Sequence, residues 1–305
     1  MRTFDFLRMT KYFVPLSIGL VVISAILLIP QVRGWNLGID FTGGTEFTVD
    51  FTEPVDAASL REALAGIDAG DTDLSKSVIQ EFLSANRAVI TTQLDIRTEQ
   101  ATIDRIERML AAEFPVVEPA QANISRVAIS QQVSRELTQK GWQAILLAIL
   151  IILVYVSWRF RLRYAIGAIA AIMHDVVIAL GVFALFGVEI NIPTIAAFLT
   201  IIGYSLNDTI VIYDRIRENL KLDKRLSIRE IINRSVSQSL SRTINTSLTT
   251  LIPVTILFVF GGSVLRGFSL ALLIGVIVGT YSSMYIANPV LYAWALRAKD
   301  DKRRR

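Results

Sequence analysis

The stretch from Ile192 to Asn219, IPTIAAFLTIIGYSLNDTIVIYDRIREN, begins as a nearly unbroken apolar run and ends as a charged one. Asn207 and Asp208 lie inside the apolar part, before the chain becomes openly charged at Asp214. Such a run predicts a membrane-spanning helix, because a bilayer core of about 30 Å needs roughly 20 apolar helical residues. A carboxylate facing lipid is costly, so Asp208 is predicted to face protein or water.

The rest of the chain shares this character. Of its 305 residues, 52% are hydrophobic and 19% charged, and the mean hydropathy is +0.50. The first apolar stretch also resembles a signal peptide, but it is long and LLIPQVRG lacks the small-x-small cleavage pattern, so we interpret it as a span. Six predicted spans result, at 12–30, 141–158, 164–186, 192–213, 243–261 and 267–296.

The placement of Lys and Arg orients these spans, because short cytoplasmic loops retain positive charge. One side carries the basic tail RAKDDKRRR and eight basic residues from Arg215 to Arg242, whereas residues 31–140 hold 10 Lys and Arg against 17 Asp and Glu. Both termini are therefore predicted to be cytoplasmic. The predicted regions are a cytoplasmic N-terminus with span one (1–30), an outside domain (31–140), spans two to six (141–296) with a cytoplasmic loop at 214–242, and a basic cytoplasmic tail (297–305).

The outside domain has the pattern of a small α+β fold. TEFTVDF alternates so that Phe47, Val49 and Phe51 share one face, which predicts a half-buried strand. Helical patterns follow at VDAASLREALAGI and TEQATIDRIERMLAAEF, and strands at KSVIQEFLS, RAVITTQLD and near 119–129. The order βαββαβ predicts a ferredoxin-like domain alongside six transmembrane α-helices.

Two turns in this domain have glycine or asparagine signatures. A short turn at Ala85-Asn86 joins the second and third strands. Gly43-Gly44 precedes the first strand and favours a bulge or a tight backbone path, with contact to a ligand as the alternative. The sequence shows no nucleophile paired with a base, no metal-ligand spacing and no phosphate-binding loop, so neither an enzyme nor a cofactor is predicted.

Arg242 is the candidate partner of Asp208. Span five opens with SVSQSLSRTINTSLTT, a polar stripe at helical spacing that predicts contact with a bundle interior or with water. Arg242 is the only basic residue of the stripe and lies near the inner edge, as Asp208 does. The pair predicts that the Asp208 carboxyl can bind and release a proton. The alternative is that Asp208 and Arg242 are static partners that hold two helices together. The stripe comprises Gln238, Arg242, Asn245, Thr246 and Thr249.

His174 and Asp175 are a second polar pair, placed near the middle of span three. His174 is the only histidine of the chain, and an imidazole can transfer protons near neutral pH. A structural hydrogen bond explains the pair nearly as well, so both interpretations stay open.

Other patterns predict how the helices approach one another, bend and begin. Gly275 and Gly279 predict close helix approach, and Asn288-Pro289 predicts a kink near the inner end of the last span. Ser227 with Glu230 forms a capping box, which predicts a helix that lies along the membrane surface and leads into span five.

Three stretches together resemble the SecF members of the SecD/SecF family: GIDFTGG after the first span, GYSLNDTIVIYDRIREN in the fourth and SLSRTINTSLTT at the start of the fifth. The resemblance covers nearly the whole chain. It implies a subunit of the bacterial Sec export machinery in the inner membrane, with a periplasmic 31–140 domain and with Gly38, Asp40, Gly43 and Gly44 as its periplasmic motif.

The resemblance further implies partners and an energy source. The expected partners are a homologous SecD subunit, the SecYEG channel, YajC and a preprotein in transit, and the expected energy source is the proton gradient. It assigns Asp208 and Arg242 to the proton path, and we add Asn207, His174 and Asp175 as candidates. Two rival functions stay open: half of a proton-driven small-molecule exporter of the resistance-nodulation-division superfamily, and a scaffold that moves no protons.

Overall fold

The structure, a computed structural model, describes residues 4–70, 73–82, 86–95, 99–118, 123–159 and 162–303. The chain divides into two compact units, one formed by Met1–Asn36 with Ala144–Arg305 and the other by Leu37–Gln143. The elements in chain order are α1 (Phe6–Leu27), α2 (Ile39–Thr42), β1 (Gly44–Asp50), α3 (Ala57–Ala65), a 3-10 turn (Leu74–Lys76), β2 (Val78–Phe82), β3 (Arg87–Thr92), α4 (Gln100–Glu113), β4 (Ile124–Ile129), α5 (Gln131–Arg159), α6 (Leu162–Phe186), α7 (Ile192–Leu222), α8 (Ile228–Phe260), α9 (Gly262–Tyr285) and α10 (Ala287–Arg303).

The first unit is a helical bundle. Among the described residues, six helical segments are long and apolar enough to cross a membrane, and the sixth runs from Leu265 to Arg297 across α9 and α10. The six predicted spans are thus confirmed. Helices α6 and α7 have the largest buried shares of their apolar stretches and α5 the smallest, so α6 and α7 are the central helices of this unit.

Helix α1 begins six residues before the predicted span because Asp5 caps it. Asp5 Oδ1 accepts hydrogen bonds from the backbone N–H of Arg8 at 3.1 Å and from Asn233 Nδ2 at 2.7 Å, while Oδ2 pairs with Arg229 Nη2 at 2.9 Å. The cap satisfies a backbone donor that the first helical turn leaves open. The same carboxylate therefore also joins the start of α1 to the first turns of α8.

Most of the predicted loop at 214–242 is helical in the structure and belongs to α7 and α8. Helix α7 continues to Leu222, α8 starts at Ile228, and only Asp223 to Ser227 connect them. The predicted capping box is present, with Ser227 accepting from the Glu230 N–H and Glu230 accepting from the Ser227 N–H. The helix that it starts is not a separate surface helix, because it runs without a break into the fifth span as far as Phe260.

The last span breaks where Asn288-Pro289 predicted a kink. Helix α9 ends at Tyr285 and α10 begins at Ala287. Pro289 has no backbone N–H to donate into the preceding turn. At this break Asn288 Nδ2 donates to the carbonyl oxygens of Ser283 at 2.9 Å and Met284 at 3.3 Å.

The bundle core lies mainly between α6, α7, α10 and the first turns of α8. Glycines let α9 approach α7 closely, as predicted. A Cβ at Gly275 would overlap the Ile201 side chain, and one at Gly279 would lie 3.1 Å from Ser205 Cβ. A larger residue at Gly275 would therefore push these two helices apart.

The second unit has the predicted ferredoxin-like topology. Its sheet has the order β2-β3-β1-β4, and every neighbouring pair is antiparallel. The alternation predicted for β1 is confirmed, since Phe47 and Val49 are fully buried and Phe51 nearly so. Three fully buried residues of α4 pack against this core at helical spacing: Ile103, Ile106 and Leu110.

Two details of this unit refine the prediction. Strand β4 begins at Ile124, and positions 119–122 of the predicted last strand lie outside the described residues. Ala85 of the predicted turn also lies outside them, whereas Asn86 adopts a positive φ of 47°. Phe82 pairs with Arg87, so β2 and β3 form the predicted hairpin.

Candidate functional site

Helix α7 places Asp208 on the buried side of the bundle. Asn191 caps the helix by accepting from the Thr194 N–H at 3.0 Å, with Ile192-Pro193 as its first residues. Ala197, Ile201, Ser205, Asp208 and Ile212 follow at spacings of three and four residues, and all are buried. Asp208 is 3% exposed, so its carboxylate faces protein.

The Asp208 carboxylate is incompletely satisfied. Its Oδ2 atom is buried and has no hydrogen-bond partner among the described residues, and the same holds for the hydroxyls of Thr209 and Thr243. Leaving a buried charged oxygen without a donor costs about 1–3 kcal/mol or more. A proton on Asp208 removes the charge and with it the additional cost of burying an ion, which makes this carboxyl a candidate for reversible protonation.

Arg242 acts electrostatically on the Asp208 carboxyl, but no ion pair or hydrogen bond joins the two among the described residues. Arg242 lies on an exposed face of α8. Coulomb energy between unlike charges falls with distance, so this pair is attracted without being locked together. The arrangement differs from a static ion pair.

The other polar side chains of the α8 stripe are mostly hydrogen-bonded, and some of them are also exposed. The Thr246 hydroxyl donates to the Arg242 carbonyl at 3.0 Å, and the Thr249 hydroxyl donates to the Asn245 carbonyl at 2.9 Å. Gln238 Oε1 accepts from Asn219 Nδ2 of α7 at 2.9 Å. Asn245 and Thr249, like Arg242, are exposed within this chain. An exposed guanidinium on a membrane helix requires water or a polar protein surface beside it.

Asp175 has a different environment from Asp208. Its Oδ2 atom accepts from Ser205 Oγ of α7 at 2.5 Å and from Ser282 Oγ of α9 at 2.8 Å, and its Oδ1 atom accepts from His174 Nδ1 at 2.9 Å. Asp175 is 1% exposed. Three donors satisfy this carboxylate, and two of them come from neighbouring helices. Asp175 therefore joins α6, α7 and α9.

The remaining candidates in the membrane unit lie in separate places. The His174 ring is buried and contacts the Tyr281 ring in a tilted arrangement with 6.0 Å between ring centroids, and its Nε2 atom has no partner among the described residues. Asn207 is exposed, on a different side of α7 from its neighbour Asp208. The five predicted proton-path residues thus fall into a buried carboxylate with a nearby cation, a hydrogen-bonded cluster, and an exposed amide.

The glycine motif shapes the start of β1. Gly38 is the N-cap residue just before α2, and Gly43 and Gly44 both adopt positive φ, at 72° and 127°. A Cβ at Gly44 would collide with the Thr92 carbonyl oxygen of β3. Asp40 lies in the first turn of α2. Burial raises the pKa of Glu46 above its usual range, and the nearby Asp40 carboxylate raises it further.

Ser205 and Ser282 are site residues that the sequence interpretation missed. Ser205 lies one turn before Asp208, so the helical repeat contained a signal for it. Ser282 had no such signal, because its partner belongs to another helix. Within the ranges that the structure describes, no cluster of His, Asp and Glu could hold a metal ion.

The fold and the site together define a multi-pass membrane protein with an inserted ferredoxin-like domain and carboxylates buried between its helices. The family model described as "Protein export membrane protein SecD/SecF, C-terminal" matches residues 110–297, and the one described as "SecD/SecF GG Motif" matches residues 32–55. The second match contains Gly43 and Gly44.

Comparison with individual proteins identifies the same family. The chain is 43% identical over 289 residues to the protein translocase subunit SecF of Magnetococcus marinus, covering 94% of this chain and 91% of the relative. It is 42% identical over 300 residues to SecF of Desulfurispirillum indicum, covering 96% and 92%. The chain therefore belongs to the SecF family of protein translocase subunits.

A solved structure shows the same fold within a longer protein. The crystal structure of SecDF from Thermus thermophilus, described as a translocon-associated membrane protein, superposes with a TM-score of 0.84 at 37% identity. The match covers 96% of this chain but only 39% of the SecDF chain. The SecDF sequence of that organism is 38% identical to this chain over 296 residues.

Proposed function

We propose that this chain works with a SecD subunit to couple proton movement across the inner membrane to the translocation and release of preproteins. The observation that carries the proposal is Asp208, a carboxylate on the buried side of the membrane-spanning helix α7, with one oxygen that has no donor among the described residues. A scaffold gains nothing from such a group, whereas a proton carrier needs one. The role is that of an accessory translocase subunit and not of an enzyme.

The energy scale supports proton coupling. Moving one elementary charge through the membrane potential releases about 2.3 kcal/mol per 100 mV. Protonation of Asp208 removes its attraction to Arg242, and deprotonation restores it. Because Asp208 belongs to α7 and Arg242 to α8, the protonation state biases how these two helices pack. Two packings that differ by a few kcal/mol are sufficient for a switch.

A SecD partner is supported by the exposed polar groups of α8 and by the longer SecDF relatives. Arg242 and Asn245 lie on a face of α8 that this chain leaves exposed, and a second chain with matching polar groups would cover it. In Thermus thermophilus, the matched region occupies 39% of a single SecDF chain. We extend the proposal to the SecYEG channel, YajC and a preprotein as further partners, and to cytoplasmic termini with a periplasmic ferredoxin-like unit.

The decisive variant is Asp208→Asn, which keeps the size of the side chain but cannot lose or gain a proton. We expect normal amounts of the protein and of its complex with SecD, and export into inverted membrane vesicles that no longer responds to the proton gradient. Proton flux through liposomes that contain the complex should fall in parallel.

Asp223→Asn is the matched control, since it makes the same change at the C-terminal end of α7. Asp223 pairs with Arg234 at 3.4 Å near the surface, where such pairs contribute about 1 kcal/mol or less. Gradient-dependent export by Asp208→Asn at the parental rate would refute the proposal. Proton-coupled efflux of small molecules without any effect on preproteins would favour the exporter alternative.

A further inference from the structure

A charged cleft lies between the C-terminal end of α5 and the C-terminal part of α7, in the helical unit. It has a volume of about 360 Å³. Asp214 of α7 joins the two sides through its Oδ2 atom, 2.9 Å from Arg159 Nη2 of α5, and its Oδ1 atom lies 3.2 Å from Arg217 Nη1 within α7. The cleft is lined by Arg159, Asp214, Arg217, Glu218, Lys221 and Leu222.

The cleft lies at the depth of lipid headgroups. The apolar part of α7 covers residues 192–213, which at about 1.5 Å per residue spans roughly 33 Å and matches the hydrocarbon core. The cleft residues of α7 follow directly after this run, and Arg159 is the last residue of α5. Trp158 beside it is 85% exposed, as is typical of an indole at the membrane interface.

Positive charge is in excess around the cleft. The lining residues include three cations and two carboxylates, and Arg215 adds a fourth cation through its ion pair with Glu218 at 2.6 Å. A guanidinium has five N–H donors, so it can bind a carboxylate and a phosphate together. Basic pockets between membrane helices have the chemistry that binds anionic lipid headgroups.

An apolar stripe leads from the cleft toward the membrane interior. Leu147, Ile151 and Tyr155 precede Arg159 at intervals of four residues, so they share its side of α5. They are 57%, 59% and 44% exposed. Val156 is buried against the bundle and holds this end of α5 in place. A charged cleft continued by an apolar stripe fits a molecule with an anionic head and hydrocarbon chains.

We propose that the cleft is a binding site for an anionic phospholipid, with its phosphate between Arg159, Arg217 and Lys221 and its acyl chains along the exposed stripe of α5. An acidic protein segment fits less well, because it would satisfy the charges and leave the apolar stripe uncovered. The bound lipid would bridge α5 to α7, and α7 carries Asp208.

Trp158 provides the readout. The full-length chain with Trp158 as its only tryptophan (Trp35→Phe, Trp142→Phe, Trp294→Phe) is placed in phosphatidylcholine vesicles that contain a small, fixed fraction of brominated phosphatidylglycerol. Bromine on an acyl chain quenches a tryptophan that it contacts. We expect stronger quenching than with the same fraction of brominated phosphatidylcholine. Equal quenching by the two lipids would overturn the proposal.

Charge variants locate the site. Arg217→Gln with Lys221→Gln removes two cations of the cleft, and we expect the apparent affinity for brominated phosphatidylglycerol to fall on the order of 30-fold. The matched control is Lys224→Gln with Arg225→Gln, two exposed cations in the connection after α7. The control should keep the parental preference for phosphatidylglycerol. Loss of the preference in both pairs would mean general surface attraction and would overturn a defined site.

Two further measurements complete the test, the first on the unsubstituted chain and the second on the chain with Trp158 as its only tryptophan. Native mass spectrometry of the chain purified with its partner subunit should show retained phosphatidylglycerol and little phosphatidylcholine, and the absence of lipid there would mean that protein covers the cleft. Sodium phosphate and sodium chloride at equal ionic strength should weaken the phosphatidylglycerol-specific quenching equally. A stronger effect of phosphate would identify a site for a free anion and would overturn the lipid assignment. These lipid-binding results do not depend on export activity.

Discussion

Two buried aspartates of the membrane unit, Asp175 and Asp208, differ in the hydrogen bonds that their carboxyl groups accept. Asp175 accepts three hydrogen bonds, from Ser205, Ser282 and His174, and hydrogen bonds to a charged group each contribute about 1.5–3 kcal/mol. Asp208 is equally buried, but one of its oxygens has no donor in the part of the chain that the structure describes. The first arrangement holds a carboxyl group in one position through hydrogen bonds, and the second leaves one carboxyl oxygen without a bond among the described residues. Asp208 is therefore the proton carrier in our proposal, and both interpretations of His174 and Asp175 stay open.

Gly44 gives a prediction for the glycine motif. Gly44→Ala would force a side chain into a φ of 127° and against the Thr92 carbonyl oxygen, so we expect the sheet unit to lose at least about 1–3 kcal/mol of stability. Hydrogen exchange of the strand amides in the full-length chain measures this loss.

Gly66→Ala is the control in the same unit, because Gly66 has a φ of −75° and an added Cβ would lie 3.4 Å from the nearest atom. Faster exchange in Gly44→Ala alone supports a backbone role for the motif. Unchanged exchange together with lost export would instead support contact between this glycine and a ligand.

At the scale of elements, the Asp175 cluster fixes how three helices pack. Ser205 and Asp208 are three residues apart in α7 and share its buried side. The bonds from Asp175 to Ser205 and Ser282 fix the rotation of α7 against α6 and α9, and this rotation determines the direction in which Asp208 points. Close approach of α9 at Gly275 and Gly279 brings Ser282 within reach of Asp175.

Ser282→Ala tests this role. We expect a loss of about 1.5–3 kcal/mol of unfolding free energy, more than the roughly 0.6 kcal/mol that an average hydrogen bond between membrane helices contributes. Ser269→Ala is the control in the same helix, because Ser269 is also buried but, among the described residues, bonds only to the backbone of α9, at Leu265 and Arg266. Reversible unfolding in mixed detergent micelles measures both variants, and equal losses would contradict the cluster's role.

At the scale of the whole molecule, the distribution of charge predicts which side of the membrane each region occupies. The chain contains no cysteine, so single cysteines report accessibility without background. We expect Glu53→Cys in the ferredoxin-like unit to react with a membrane-impermeant maleimide applied from the periplasm. Lys224→Cys, between α7 and α8, should react only after the inner membrane is opened. The reverse pattern would invert the predicted orientation.

Much of this protein was predictable from particular residues. The length of the apolar runs determined six spans, because the thickness of a bilayer sets the length of a helix that crosses it. The alternation of Phe47, Val49 and Phe51 and the helical repeat of Ile103, Ile106 and Leu110 identified the two-layer domain, because burial on one side of each element is a local property of the sequence. The presence of Asp208 in an apolar run also singled out the candidate site.

Only the tertiary structure decided which of the buried polar residues meet. No periodicity relates Asp175 to Ser282, since their contact depends on how α6 and α9 pack, and the sequence left His174 and Asp175 equally suited to proton transfer and to structure. The separation between Asp208 and Arg242, and the cleft between Arg159 and Lys221, likewise depend on distances between helices. Sequence periodicity describes one side of one helix, whereas a site formed by several helices depends on their mutual rotation and depth, and these are fixed only when the helices pack.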